Sequence, residues 1–429
     1  MDDVFDEWSE YAKRKQLLAR DVNLDKLWTS SGLKIMAITG IRRCGKTSVL
    51  ILLYQSLLKK GKKAGFVSLE DSRLHDPKTL DSLIKWFGDE GYLLLDEVTS
   101  ANDWEGWLSR NHEMLKGKLG LIVSSSRSSL VVPNKPLRGR ILSYEMYPLS
   151  FTEFLSFRGA KIEKTTAGVG RIEKQLGEYL LFGGFPEAVL LDDKTEKVKL
   201  LNSYFKDIIG LDVAEIAQEN ISIVDVFARY IVESPYFSAS KCLNFFKSMG
   251  YKIAKQSLLR LERCSQEGYL FFFVPIFSFS IKDRSQYPRK SYLGDTGFAY
   301  SISGKIDKGR LFENAVFLHL KRTLPQNCEL NYWKNKKGLE ADFVIRQGMK
   351  IKAVYQVTYE LDNESTKNRE IRGLVACAME FKQKNGVIIT KDLEKSETIE
   401  GVTIRFIPLW KFLLEGAIIP LQKSMVKDD

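Results

Sequence analysis

The sequence predicts an α/β protein that opens on a parallel sheet and carries further modules behind it. Three observations lead there. Apolar runs ending at Thr39 and covering Ala64 to Leu69, Tyr92 to Leu95 and Leu119 to Val123 recur with helical stretches between them, the order of a parallel sheet with crossover helices. A helix, helix, helix, hairpin order fills about Ile221 to Tyr292, and a second alternation of helix and strand begins near Gly304. At 429 residues the chain exceeds one ordinary core, so two or three domains are expected.

The first strand runs into Gly40-Ile41-Arg42-Arg43-Cys44-Gly45-Lys46-Thr47, followed by Ser48 and a helical pattern with Val49, Leu50, Leu53 and Leu57 on one face. This is a complete phosphate-binding loop in the right context. Two glycines let consecutive N–H groups turn inward on a phosphate, Lys46 reaches the β- and γ-phosphates, and the Thr47 hydroxyl can ligate Mg²⁺. The helix that follows aims the positive end of its dipole at the same anion. The strand Tyr92 to Leu95 ends in Asp96-Glu97, a Walker B pattern: Asp96 is the expected Mg²⁺ partner and Glu97 the group that polarises an attacking water. Leu119 to Val123 ends in Ser124-Ser125-Ser126-Arg127-Ser128 at the edge where open α/β sheets bind ligands, so Ser124 or Ser126 could sense a γ-phosphate or simply cap the next helix. Arg140, in Leu137-Arg138-Gly139-Arg140, is either a charge-stabilising arginine, in cis or in trans, or a surface charge.

Composition narrows the remaining classes. Hydrophobic residues make up 44% and charged residues 28%, the balance of a soluble globular chain. The start, Met1-Asp2-Asp3, lacks a secretory signal, and the most apolar stretches, near Tyr269 to Ile281 and Leu409 to Leu421, are too short or interrupted to cross a bilayer; a cytoplasmic protein with no membrane partner is expected. Cys44, Cys242, Cys264, Cys328 and Cys377 form no paired spacing, and three histidines form no HExxH arrangement, so disulfide, zinc and histidine-based centres are disfavoured. A net charge of +11 favours a polyanionic partner.

Downstream, Leu181-Phe182-Gly183-Gly184-Phe185-Pro186-Glu187 is a turn between helical patterns and is assigned to a helical lid. The pattern Val224 to Glu233, Ser238 to Met249, Ala254 to Gln266 and the strand Tyr269 to Phe273 suggests a winged helix. Its third helix would present Lys255, Gln256, Arg260 and Arg263 to DNA, with Lys282, Arg284, Arg289 and Lys290 on the wing against phosphates; the alternative is an interdomain module with a solvated basic face. In the last segment, Glu313 on a helix, Asp342 heading a strand and Gln356 in the next are placed as in a metal-dependent nuclease core. Position 356 is an amide and position 358 a threonine where a lysine is needed, so a non-catalytic remnant is expected. The segments divide as 1–157, 158–220, 221–300 and 301–429.

The series GIRRCGKTS, YLLLDE, LRGR with YPLSFTEFL, GGFPE, RKSYLGDTG, LFENAVFLHLKR, LEADFVI and YQVT resembles the archaeal AAA-type ATPases related to the STAND group, over nearly the whole chain. The resemblance implies a P-loop NTPase domain with a helical lid, a winged helix and a restriction-endonuclease-like C-terminal domain. It also implies ATP and Mg²⁺ at the loop and at Asp96 and Glu97, and a role for Arg140. The expected activity is that of an ATP-driven switch acting on DNA or a protein client. Alternatives are a nucleotide-gated DNA-binding regulator and, last, a metal-dependent nuclease.

Overall fold

The computed structural model describes residues 1–130, 135–163, 165–361 and 364–415. The chain groups into two compact units. The first unit takes Met1–Pro148, Asp207–Gln218 and Arg263–Leu270; the second takes Leu149–Lys206, Glu219–Glu262 and Phe271–Asp429. Two short pieces distant in sequence therefore belong with the N-terminal sheet, which a reading by consecutive composition does not detect.

The first unit is built on strands β1 (Ile35–Gly40), β2 (Ala64–Ser68), β3 (Gly91–Asp96), β4 (Leu119–Ser125) and β5 (Ile141–Met146). They lie in the order β2-β3-β4-β1-β5, all parallel. The central β1 and β4 are buried along their whole length, which is why they read as unbroken apolar runs. One face packs Ile35, Ala37, Leu93, Leu95, Leu121 and Val123 against Phe5 and Trp107. The helix Lys46–Lys59 buries Val49, Leu50, Leu53 and Leu57, the stripe its spacing predicted. Strand β5 was missed: it sits at the sheet edge and interleaves Ser143 and Glu145 with its apolar residues, so no run stands out. The inserted piece Asp207–Gln218 contains a π-helical turn, Ile208–Ala214, whose Asp212 is fully buried.

The second unit begins with the helix Phe151–Phe157, closed by a capping box between Ser150 and Glu153. The helix Thr166–Phe182 ends at Gly183, whose φ of 73° and lack of a side chain are both required: a Cβ there would stand 1.5 Å from Asp295 Oδ1. Asp295 accepts from the N–H groups of Gly184 at 2.8 Å and Gly297 at 2.9 Å. Burial pushes its carboxyl up to about 6, with those N–H groups pulling the other way. Leu149 N donates to Gly184 O at 2.6 Å, and Thr296 Oγ1 donates to Tyr179 O at 3.0 Å. The motifs PLSFTEFL, GGFPE and LGDTG thus meet in one buried polar knot.

Next come the helix Ile221–Glu233, β6 (Tyr236–Phe237), the helices Ala239–Ser248 and Lys255–Glu267, β7 (Phe271–Val274) and β8 (Arg289–Leu293). These strands form an antiparallel sheet ordered β6-β8-β7. Beyond the helix Lys308–Thr323 lies a mixed sheet of β9 (Glu329–Lys334), β10 (Glu340–Gln347), β11 (Lys350–Val357), β12 (Asn385–Thr390), β13 (Lys395–Ile399) and β14 (Val402–Pro408), in the order β13-β14-β12-β11-β10-β9. Val344, Val354, Leu374, Ile388 and Phe406 fill its core, with Leu374 contributed by the helix Glu364–Glu380. No helix among the described residues is long and apolar enough to cross a membrane.

Candidate nucleotide site

The loop after β1 turns where its sequence requires. A Cβ at Gly40 would lie 2.1 Å from Met146 O, and Gly45, at φ 101°, caps the helix Lys46–Lys59. Cys44 is buried with its Sγ 3.8 Å from Met146 O, an apolar anchor beneath the turn. Arg20, which lies in no recognisable motif, donates to Cys44 O at 2.7 Å and Tyr147 O at 3.1 Å, bracing the outer side. Ile41 is buried, Arg43 exposed at φ 70°, and Ser48 half-buried on the first helical turn.

The two nucleotide motifs are joined by a hydrogen bond and an ion pair. Thr47 Oγ1 donates to Asp96 Oδ2 at 2.9 Å. Ser124 Oγ donates to Asp96 Oδ1 at 2.6 Å and accepts from Glu97 N at 2.9 Å, which fixes Glu97 in the left-handed region at φ 49°. Lys46 Nζ lies 3.2 Å from Glu97 Oε1 and donates to Gly40 O at 3.1 Å and Ile41 O at 3.4 Å. Burial raises the Asp96 carboxyl above the ordinary range, and the neighbouring Glu97 charge adds to it, against the hydrogen bonds from Ser124 and Thr47. Burial alone would push Glu97 up too, but Lys46 and the Ser126 N–H hold it below its usual value. Asp96 is thus driven toward its neutral form and its neighbour Glu97 toward its charged form.

Ser126 N donates to Glu97 Oε2 at 2.9 Å, and Ser126 Oγ donates to Asp212 Oδ1 at 2.9 Å. Asp212 also receives Arg42 Nε at 2.9 Å and Nη2 at 3.3 Å, while Arg42 Nη1 donates to Glu70 Oε1 at 2.8 Å. Lys46, Glu97, Ser126, Asp212 and Arg42 are therefore one connected network. Its closing member comes from the inserted π-helical turn. Tyr269, from the second inserted piece, donates to Thr39 Oγ1 at 2.9 Å at the end of β1.

Arg140 is not at this site in its own chain. Its carbonyl accepts from Ile35 N at 2.8 Å, at the edge where β1 begins, whereas the phosphate loop leaves the end at Gly40; its guanidinium donates to Pro136 O and contacts Glu113. The parallel pairing of β1 with β5 fixes that separation. Lys255, Gln256, Arg260 and Arg263 are all exposed, with Arg260 3.8 Å from Glu219 and Arg263 3.6 Å from Glu267. The wing expectation fails for two residues: Arg289 pairs with the buried Glu262, and Lys290 is only 4% exposed. Glu313 and Asp342 do converge, but on Lys290 Nζ. Gln356 Oε1 accepts from Asp342 N at 3.1 Å, and Thr358 Oγ1 donates to Glu360 O at 3.0 Å.

A five-stranded parallel sheet with this loop, this carboxylate pair and this serine strand end defines an AAA-type P-loop ATPase domain, and residues 33–155 match the AAA domain family model. Residues 173–308 and 308–412 match two domains of unknown function, DUF8612 and DUF4143. The chain belongs to the family of the uncharacterized protein MJ1544 of Methanocaldococcus jannaschii, to which it is 31% identical over 425 residues, 94% of this chain and 93% of that protein. An uncharacterized protein of Haemophilus influenzae is 23% identical over 394 residues, 88% of this chain and 94% of its own. Among solved structures, a STAND protein with a tetratricopeptide repeat sensor from Pyrococcus horikoshii is similar at a TM-score of 0.30, with 12% identity over 73% of this chain and 47% of that one.

Proposed function

We propose that this protein binds ATP with Mg²⁺ at the loop Gly40 to Ser48 and hydrolyses it, and that turnover acts as a switch on DNA or a protein client. The observation that carries the reading is the hydrogen bond of Thr47 to Asp96 beside the ion pair of Lys46 with Glu97. Thr47 and Asp96 form a hard-oxygen pair suited to Mg²⁺, which takes one or two protein ligands and completes its shell with phosphate and water. Bound there, the ion would neutralise phosphate charge. Lys46 must leave Glu97 to reach the phosphates. That exchange frees the Glu97 carboxylate to accept a proton from the attacking water, while Ser124 and the Ser126 N–H hold its backbone and side chain in place. Ser126 also touches Asp212, so a shift at Glu97 is felt by the inserted turn, and Ser124 and Ser126 act as sensors by this route.

The order helix, strand, helix, helix, strand, helix, strand, in which the short helix Ile281–Gln286 separates β7 from β8 of the antiparallel sheet, supports a winged helix from 221 to about 300. The exposed basic residues Lys255, Arg260 and Arg263, with the exposed amide of Gln256 among them, support DNA as its partner. The test is ATP turnover by the purified protein with Mg²⁺, with and without double-stranded DNA, using Lys46→Ala as the blank. Glu97→Gln should keep nucleotide affinity and lose turnover by roughly 100-fold or more. Unchanged turnover in that variant removes Glu97 from the chemistry. Stimulation by DNA supports the DNA-coupled reading, and indifference to it moves the winged helix to a protein client.

A further inference from the structure

The carboxylates expected to hold Mg²⁺ in the C-terminal sheet hold a lysine. Lys290, on β8, is buried, and three carboxylate oxygens surround its ammonium: Asp342 Oδ1 at 2.6 Å, Glu340 Oε1 at 2.9 Å and Glu313 Oε1 at 3.0 Å. An ammonium has three N–H donors, and each finds an acceptor. The rings of Tyr236 and Tyr332 lie 5.9 Å away, within cation–π range. Tyr292 donates to Glu313 Oε1 at 2.6 Å and Tyr236 to Glu340 Oε1 at 2.5 Å, so the carboxylates are themselves held.

This geometry suits nitrogen and not magnesium. The oxygens stand at charge-assisted hydrogen-bond lengths from one point, whereas Mg²⁺ demands six oxygens at roughly 2.0–2.1 Å. Among the described residues no group of three or more His, Cys, Asp or Glu is arranged to hold a metal ion. The charges match as well. An amide at Gln356 replaces the acid a divalent site would use, which removes one negative charge, and a lysine replaces a doubly charged ion by a singly charged one. Lys334, 3.1 Å from Glu340, offsets part of the remaining excess.

We propose that Lys290 is a tethered replacement for a divalent cation, filling the cradle of Glu313, Glu340 and Asp342 and excluding metal from the C-terminal domain. The cavity of about 780 Å³ that these residues line together with Tyr292 and Arg310 is then a binding pocket without metal-dependent hydrolysis. The amide at Gln356 is matched to the lysine, since it leaves the cradle one negative charge fewer. Removing the ammonium leaves the buried Asp342 and the partly buried Glu313 and Glu340 facing one another with, among the described residues, only Lys334 close to Glu340, a costly state that a divalent ion would relieve.

The experiment is Mn²⁺ binding to the full-length, nucleotide-free protein by calorimetry, together with melting temperature. The wild type should show no Mn²⁺ uptake that depends on Asp342. Lys290→Met should melt lower, gain one Mn²⁺ site and recover melting temperature on Mn²⁺ addition, and Lys290→Met with Asp342→Asn should lose that site. Lys290→Arg, which keeps a cation, should bind none. Should Lys290→Met fail to fold, Lys290→Met with Glu340→Gln, which buries one charge fewer, takes its place. Asp342-dependent uptake by the wild type overturns the proposal, as does a folded Lys290→Met protein, or its Glu340→Gln double variant where that takes its place, that takes up no Mn²⁺.

Discussion

In the proposed site Lys46 would have to release Glu97 before it could hold a phosphate, so nucleotide entry would break a nearly buried ion pair. The same burial gives a pH signature. As the proposed Mg²⁺ partner Asp96 would bind the ion only as a carboxylate, and its proton is retained to a higher pH than an ordinary aspartate keeps one. The sign follows: protons compete with Mg²⁺ as the pH falls, so Mg²⁺-dependent ATP affinity should weaken through mildly acidic pH, where an exposed aspartate is still ionised. Titrating nucleotide affinity with and without Mg²⁺ checks this; a flat Mg²⁺-dependent part would show Asp96 ionised throughout. Gly40, Lys46, Thr47, Asp96 and Glu97 were legible because each motif is contiguous and its chemistry fixes its spacing. Asp212 was not, since its partner Arg42 lies 170 residues away and one aspartate in a polar stretch carries no local signal. Lys290 was misread for a related reason: a lysine on a strand suggests solvent until the carboxylates from two other elements are placed around it.

Among the elements, helices with clear apolar stripes came within one to three residues of the structure, as in Ile221–Glu233 and Lys255–Glu267. Strand β5 did not, because an edge strand needs no continuous apolar run. The knot around Asp295 explains why GGFPE and LGDTG read as such particular motifs: one is the turn, and the other supplies the carboxylate that caps it. Gly183→Ala should therefore cost about 3 kcal/mol or more, since it combines positive φ with a collision against Asp295. Gly304 has a similar φ of 68° with nothing near its missing Cβ, and Gly304→Ala should cost only about 1 kcal/mol. Urea denaturation of the two variants compares them directly. Equal losses would mean that φ alone, and not the knot, sets the requirement.

At the level of the whole molecule, the sequence conveyed the N-terminal parallel sheet and the later alternation of helix and strand, but not that the chain leaves and re-enters the first unit twice. Hydrophobic periodicity reports which face of an element is covered and is silent about which unit covers it. A fragment of residues 1–157 ends before Asp212 and Tyr269, and so lacks the partner of Arg42 and the hydroxyl that reaches Thr39. Expressed alone, it should be aggregated or melt well below the full chain, and should bind ATP weakly; a stable fragment with full affinity would show the inserted pieces to be dispensable. In the second unit, the ion that neutralises the acidic cradle is written into the coding sequence. Its supply is one per polypeptide from the moment of synthesis, indifferent to the metal content of the surroundings and beyond the reach of any chelator, and a single codon change is enough to withdraw it.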